Sequence, residues 1–334
     1  MNPVRGARRI AAALAWLAAA GLALAAAGCS LNPQLRVAEA LPPGSGTVLL
    51  EGVPFHPQTE FQCGPAALAG VLGASGVDAS PGELAPQVYL PGRQGSLQLE
   101  LVGATRRAGR IPYAVEPSPD ALLAEVAGGR PVLVLQNLLT PSVPKWHYAV
   151  LVGADAAANR IVLNSGTTRG LTMGARRFLR TWEWGGRWAL LALRPGELPA
   201  RAEPAAYLSA VADFERVAGG SAARPAYDAA LARWPSDARP RLAIGNHLLA
   251  AGDPVAAAAQ YRAGLELAPG DAVLANNYAS LLAGLGCRDQ ARAVVAPALA
   301  ATPRDGRWRA ALVATAAEVE ALSPTPGPLC AGVR

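Results

Sequence analysis

The sequence has few of the side chains that hold metal ions. Among its 334 residues are three histidines and four cysteines, which form neither a histidine pair at helical spacing nor a Cys-x-x-Cys pair. Zinc sites in proteins are built on such spacings. We therefore expect no metal centre, and no motif in the chain requires a cofactor.

Charged residues are also scarce, at 16% of the chain, whereas 51% is hydrophobic. Such a chain can bury a core, which argues against disorder for most of its length. The formal net charge is +6, but Arg5, Arg8 and Arg9 precede the first acidic residue, Glu39. Without these arginines the surplus is about +3, with no basic stripe along the sequence. Nucleic acid is therefore not expected as a partner.

The N-terminus predicts export from the cytoplasm. The three arginines are followed by an uncharged run, residues 10–28, that ends in three small residues. A positive segment, an apolar run and small residues at the cleavage point make up a secretory signal peptide. Because Cys29 follows directly, the segment resembles a bacterial lipobox, which implies that residues 1–28 are removed and that Cys29 is acylated. An uncleaved transmembrane helix is the alternative, since the apolar run is just long enough to span a bilayer.

Both interpretations place the rest of the chain outside the cytoplasm. Ser30, next to Cys29, resembles the residue that permits sorting to an outer membrane. We therefore expect a lipid-anchored protein of the bacterial cell envelope, on the periplasmic side of the outer membrane, with the inner membrane as the alternative. Prolines and glycines within residues 29–46 predict a tether that lets the next domain stand off the membrane.

Export also permits disulfide bonds. If Cys29 carries lipid, three cysteines remain, and one pair with one free thiol is the simplest arrangement. Cys287 and Cys330 lie in the same C-terminal region. We therefore predict a disulfide between Cys287 and Cys330 and a free thiol at Cys63.

Residues 47–198 and 199–322 differ in character. The first segment begins with Ala- and Leu-rich stretches typical of helices and continues with Val- and Leu-rich runs typical of strands. Helices followed by a sheet indicate an α+β domain. A linker at residues 195–204 leads into a segment whose pattern is helical almost throughout. Residues 323–334, rich in proline, are predicted to form a loop.

The second segment repeats itself every 34 residues. Pro235, Pro269 and Pro303 lie at that spacing, and small and large residues keep the same frame between them. Small side chains let two helices approach closely, and proline ends the second helix of each pair. The pattern resembles the tetratricopeptide repeat, which implies an all-α solenoid that binds a protein partner. An unrelated Ala-rich helical bundle is the alternative.

One cysteine has a setting that favours reactivity. Cys63 stands in the string PQTEFQCGPAAL, residues 57–68, where a loop gives way to a predicted helix. Main-chain amides at a helix N-terminus favour a thiolate, and Pro65 suits the first helical turn. A buried cysteine that acts only as a small hydrophobic residue is the alternative.

A histidine and an asparagine lie at the ends of two predicted strands. His147 begins one strand, and Asn164 ends the next. If these strands form an antiparallel pair, the two side chains come close. Cys63, His147 and Asn164 then have the roles of nucleophile, base and orienting residue in a cysteine-protease triad. Gln58 is the candidate donor to the oxyanion of the tetrahedral intermediate, and Gln62 is the competing candidate.

These residues resemble those of the peptidase C39-like family, papain-like cysteine peptidases related to the double-glycine leader peptidases of bacteriocin exporters. The resemblance covers residues 47–198 and is carried by residues 58–68, residues 147–153 and Asn164. It implies a papain-like fold and cleavage of a peptide or amide bond through an acyl-thioester on Cys63.

The sequence departs from that family in two places. Family members often place the oxyanion glutamine six residues before the cysteine, whereas Gln58 is five before Cys63. Bacteriocin-processing relatives usually have aspartate where Asn164 stands. Leader processing itself is not expected, because those enzymes work in the cytoplasm and are fused to transporters.

Two other functions stay open beside an envelope-anchored cysteine peptidase acting on a peptide or protein substrate. The fold can serve as a catalytically silent adaptor that works through its repeats. The acyl-enzyme can also pass its acyl group to an amine rather than to water, which gives transpeptidation.

Of the remaining histidines, His56 is predicted to lie in a loop and His247 to be structural. A group of three tryptophans is predicted to pack in the core and at its edge, with a cleft wall as the alternative: Trp182, Trp184 and Trp188.

Overall fold

The computed structural model describes residues 35–58, 62–323 and 327–332. Cys29 and the predicted leader lie outside this part of the chain. Within it, no helix is both long enough and apolar enough to cross a bilayer. An α+β region comes first, and only helices follow it.

The described helices and strands have the following bounds. The helices of the α+β region are α1 (Val37–Ala40), α2 (Cys63–Ala74), α3 (Pro81–Val88), α4 (Gln98–Arg107), α5 (Pro119–Ala127) and α6 (Ala175–Trp184). Its strands are β1 (Thr47–Leu49), β2 (Tyr89–Leu90), β3 (Gly95–Ser96), β4 (Ile111–Ala114), β5 (Val132–Asn137), β6 (Trp146–Asp155), β7 (Arg160–Ser165), β8 (Thr168–Gly174) and β9 (Ala189–Leu193). The later helices are α7 (Pro204–Ala218), α8 (Gly220–Arg233), α9 (Ala238–Ala250), α10 (Pro254–Leu267), α11 (Ala272–Gly284), α12 (Arg288–Ala301) and α13 (Arg309–Ala321).

Strand β6 lies at the centre of the main sheet. The strand order is β4-β9-β5-β6-β7-β8, and β1 pairs with the C-terminal part of β6. Every pairing in this sheet is antiparallel. Alternate residues of β6 enter two hydrophobic clusters: Tyr148 and Val150 pack with α2, whereas Ala149 and Leu151 join the cluster that holds α5 and α6. Both faces of β6 are therefore covered.

Helix α2 covers one face of this sheet. Its Ala- and Leu-rich sequence buries every residue from 64 to 72. Gly64 is required at its position, because a Cβ there would lie 2.3 Å from Ser96 Oγ of β3. The close approach of the first helical turn to β3 therefore fixes the place of Cys63 at the start of α2.

The later helices keep the 34-residue period. Helices α8, α10 and α12 begin 34 residues apart, and each ends two residues before one of the three repeat prolines. Gly245 lies where two helices cross, and a Cβ there would be 2.3 Å from the Tyr261 ring. Close helix approach therefore explains the small residues in the repeat frame. The predicted fold class, an α+β domain followed by an all-α repeat solenoid, is confirmed.

The predicted tether is corrected at residues 35–41. Leu35 and Val37 are buried in the main core. The Asn159 side chain binds both residues, since its Oδ1 accepts from Val37 N at 2.9 Å and its Nδ2 donates to Leu35 O at 3.2 Å. This part of the chain is packed on the domain because it covers apolar surface there.

The predicted linker before the repeats is packed as well. Tyr207 and Phe214 of α7 lie in the same hydrophobic cluster as the main sheet. Tyr207 OH donates to Glu197 O at 3.1 Å, and Arg106 pairs with Asp213 at 2.8 Å. The first repeat therefore shares the core of the α+β region.

Two side-chain groups hold the repeat region together. His247 Nδ1 lies 2.5 Å from Glu215 Oε1, and Tyr227 OH donates to Glu215 Oε2 at 2.7 Å, which joins α7, α8 and α9. The structure places a disulfide between Cys287 and Cys330, the pair predicted from the cysteine count, with a Cα–Cα distance of 5.3 Å. This bond attaches residues 327–332 to the turn before α12.

Candidate active site

A cavity of about 1130 Å³ opens where the start of α2 meets the start of β6. Cys63, His147 and Gln58 all line it. The structure therefore brings three of the four predicted catalytic residues together. The remaining wall comes from β3, the end of β5 and the end of α6, and Asn164 is not part of it.

Cys63 is the first residue of α2 and has a half-buried, free thiol. Burial raises the pKa of the Cys63 thiol, and main-chain hydrogen bonds from Tyr148 and Gly64 lower this pKa by a smaller amount. The thiolate that the helix N-terminus favours is therefore disfavoured by burial in this structure. Loss of solvation outweighs the amide hydrogen bonds.

His147 is the second residue of β6, and its Nε2 lies 2.8 Å from Ser165 Oγ. Burial, and to a smaller extent the charge of Lys145, lowers the pKa of His147 to about 4. The ring is therefore neutral at neutral pH. When Nε2–H donates to Ser165 Oγ, Nδ1 keeps a lone pair that can accept the proton of a thiol.

The pKa shifts of the two reactive groups favour a neutral thiol and a neutral imidazole over an ion pair. The pKa of Cys63 is raised and that of His147 is lowered, so both shifts favour the uncharged forms. The hydrogen bonds described for His147 include Ser165 but not Cys63. His147 would therefore act as a general base during attack on a substrate, and catalytic hydrogen bonds often tighten only when the substrate binds.

Asn164 does not contact His147. Its Oδ1 accepts a hydrogen bond from Gly170 N at 3.0 Å, and it pairs with Val150 in the β6–β7 ladder. Val150 and His147 are an odd number of residues apart, so their side chains point to opposite faces of the sheet. The predicted contact between Asn164 and His147 is therefore wrong, and Ser165 takes that position.

A β-bulge determines which face of the sheet Asn164 and Ser165 occupy. The pairing of β6 with β7 shifts by one residue between Leu151 and Gly153, so Val152 is an extra residue in β6. Without the shift, the register set near the turn would place Asn164 opposite Leu151, on the face that carries His147. A shift of one residue reverses the face of every side chain beyond it.

Gln58 is better placed than Gln62 to bind an oxyanion. Gln58 lines the cavity, and its main-chain N donates to Gly166 O at 3.1 Å, next to Ser165. Gln62 is exposed and does not line the cavity. The oxyanion role of Gln58 stays a prediction.

Sequence reasoning missed three polar residues of the site. Ser165 contacts His147, and Ser96 lines the cavity with a buried Oγ that has no partner among the described residues. Gln136 lies opposite His147 in the β5–β6 ladder and is fully buried. Its Nε2 donates to Thr181 Oγ1 at 2.7 Å, while its Oε1 has no partner within the described part of the chain. A glutamine at the end of the apolar run VLVLQ was the available signal for this site.

The three tryptophans divide between core and wall. Trp182 is fully buried, and Trp188 lies edge-on to Tyr148 with ring centroids 5.8 Å apart. Trp184 lines the cavity, which is the alternative role considered for this group. Across the described residues, no cluster of three or more His, Cys, Asp and Glu side chains is suited to a metal ion.

Comparisons with known proteins give matches of two kinds. A family model for the tetratricopeptide repeat matches residues 248–314. Among solved structures, the crystal structure of a presumed C39-like peptidase from Bacillus anthracis is 18% identical, covers 43% of this chain and 96% of that chain, and has a TM-score of 0.37. No curated protein sequence matches the chain. The predicted repeat is thereby confirmed.

Proposed function

We propose that this chain is a cysteine peptidase of the bacterial envelope, anchored by lipid on Cys29, which cleaves a peptide or amide bond through an acyl-thioester on Cys63. One observation carries the proposal: Cys63 at the start of α2 and His147 at the start of β6 line the same cavity. A cysteine at a helix start and a histidine on a strand have the roles of nucleophile and base in such enzymes. The repeats, which share a core with this domain, would recruit the substrate or a partner protein.

The reaction takes two steps with water as the only co-reactant. His147 accepts the thiol proton while Cys63 Sγ attacks the carbonyl carbon, and the Gln58 amide donates to the resulting oxyanion. His147 then returns the proton to the leaving amine as the C–N bond breaks. In the second step His147 takes a proton from water, the hydroxide attacks the thioester, and the acid leaves as the thiol regains its proton.

A catalytically silent adaptor is the second candidate. The directions of the pKa shifts of Cys63 and His147 favour it, because both act against ionisation of the nucleophile in the free chain. Acyl transfer to an amine shares the first step with hydrolysis and differs only in the acceptor. The products therefore decide among the three functions.

The experiment is incubation of the full chain with a pool of envelope-derived peptides in heavy-oxygen water, with glycine amide as a competing amine. Hydrolysis gives new C-termini that carry one heavy oxygen, and Cys63→Ala removes them. New C-terminal glycine amide adducts would instead establish transpeptidation. An unchanged peptide pool would favour the adaptor.

The anchor is tested by Cys29→Ala, with Cys63→Ala as the matched cysteine control. We expect the wild type and the control to stay in the membrane fraction after a high-salt wash, and Cys29→Ala to be released, because it cannot be acylated. Cell fractionation and the mass of the mature N-terminus measure this. A Cys29→Ala chain that stays bound and uncut would show that the leader is a transmembrane helix instead.

A further inference from the structure

Four arginines cluster on the face that receives the N-terminal segment. Arg176, Arg177 and Arg180 lie in the first two turns of α6 and, with Asn159, line a shallow depression of about 570 Å³. Arg160 follows Asn159 and pairs with Gly174 at the rim of the same depression. Together they form the arginine patch: Arg160, Arg176, Arg177 and Arg180.

The positive charge of the arginine patch is not balanced by salt bridges to the neighbouring acids that the structure describes. All four side chains are exposed, and none of them takes part in a salt bridge within the described residues. Arg180 lies over the Trp184 ring at 5.4 Å. Of the nearby acids, Asp155 lies opposite Arg160 in the β6–β7 ladder, where it accepts from Ala158 N and forms no salt bridge with Arg160, and Glu183 pairs with Arg187. A surface with this much unpaired charge of one sign attracts an anionic partner.

Helix stability does not explain these arginines. The positive end of a helix dipole disfavours cations, yet α6 has arginines and no acid in its first turn. Elsewhere in the chain arginines pair along helices, as Arg224 does with Asp228. The unfavourable placement points to a binding role for the arginine patch.

The chain from Cys29 arrives directly beside this patch. Asn159, which lines the depression, holds Leu35 O and Val37 N. The six residues from Cys29 to Leu35 can span about 20 Å at most when fully extended. A lipid on Cys29 would therefore keep the arginine patch within about 20 Å of the bilayer surface, whatever path these residues take.

We propose that the arginine patch docks on the anionic phospholipid headgroups of the bilayer that holds the Cys29 lipid. The inference rests on the anchoring proposed above. A lipid anchor combined with a basic patch is a two-signal attachment that gives stable binding, and guanidinium groups bind phosphate through two parallel hydrogen bonds. Helix α6 begins at the patch, and Trp184 at its end lines the cavity, so docking would keep the cavity within about 15 Å of the docked arginines, which is the length of this helix.

The test maps which part of the full, acylated chain touches lipid. The chain is reconstituted in phosphatidylcholine vesicles with or without phosphatidylglycerol, and each contains a trace of phospholipid with a photoreactive headgroup. Cross-linked residues are identified by mass spectrometry. We expect cross-links to concentrate at residues 158–160 and 174–180 and to fall at least about fivefold when phosphatidylglycerol is omitted.

A charge-matched pair of variants identifies the arginines as the cause. Replacing the patch by R160Q/R176Q/R177Q/R180Q is expected to reduce these cross-links at least about fivefold. The control variant R224Q/R233Q/R262Q/R307Q replaces four exposed arginines of the repeats. It should keep the cross-links at residues 158–160 and 174–180. Cross-links that spread evenly, fall on the repeats or persist in the patch variant would overturn the docking.

Failure of the anchor gives a different result. If the chain separates from vesicles on flotation but still gives arginine-dependent cross-links when mixed with them, the docking stands and the anchoring fails. If the chain floats with the vesicles and cross-links elsewhere, the anchoring stands and the docking fails. The absence of cross-links under both conditions also rejects the docking.

Discussion

Replacing Cys63 or His147 with alanine is expected to lower peptide cleavage by at least about a thousandfold. Cys63 supplies the sulfur that forms the thioester, and His147 supplies the base that a neutral thiol requires. Because the two groups act as a unit, the double variant should be no slower than either single one. His56→Ala is the matched control for His147→Ala, since His56 does not line the cavity. Wild-type activity in Cys63→Ala would reject the assignment.

The pH dependence follows from the two pKa shifts. His147 must be neutral to accept a proton, so cleavage should rise as the pH increases through about 4, the pKa of His147, and stay level through neutral pH.

Burial raises the pKa of Cys63, so alkylation by iodoacetamide should stay slow below about 8.5, the pKa of an ordinary thiol. Rapid alkylation in mild acid that His147→Ala abolishes would show an ion pair and contradict the neutral state. Slow alkylation without cleavage would favour the adaptor.

The parts that could be predicted from sequence are those fixed by local pattern. The 34-residue period marks where α8, α10 and α12 end, because the same packing recurs at each repeat. Cys63 and His147 could be placed because each lies near the boundary of an element whose type follows from its own composition. Their arrival in one cavity was then implied by the family resemblance.

The parts that could not be predicted depend on tertiary contacts. Leu35 and Val37 show no periodicity, and their burial depends on Asn159, more than 120 residues away. The helix N-terminus at Cys63 suggested a thiolate, but the direction of the pKa shift is decided by how deeply the thiol is buried. Neither burial nor a distant hydrogen bond can be read from the neighbouring residues alone.

The β-bulge at Val152 is the clearest such case, and it leads to an expected difference between two adjacent variants. Ser165→Ala should lower kcat by up to about a hundredfold with KM nearly unchanged, because the His147 ring loses the partner that orients it. Ser165→Thr, which keeps a hydroxyl, should restore most of the rate. The slower Ser165→Ala should also show an altered acid limb in its pH–rate profile, which a purely structural role would not produce.

Asn164→Ala should behave in the opposite way. Removing the Asn164 amide deletes its hydrogen bond with Gly170 N, which lies in an exposed residue that water can reach, so the free energy of unfolding should fall by about 0.5–1.5 kcal/mol. The value of kcat should change little, since Asn164 faces away from His147. Steady-state kinetics and urea denaturation of both variants separate the two effects. If Asn164→Ala abolished cleavage and Ser165→Ala did not, the assignment of Ser165 would be wrong, and the orienting residue would be the asparagine that the sequence predicts.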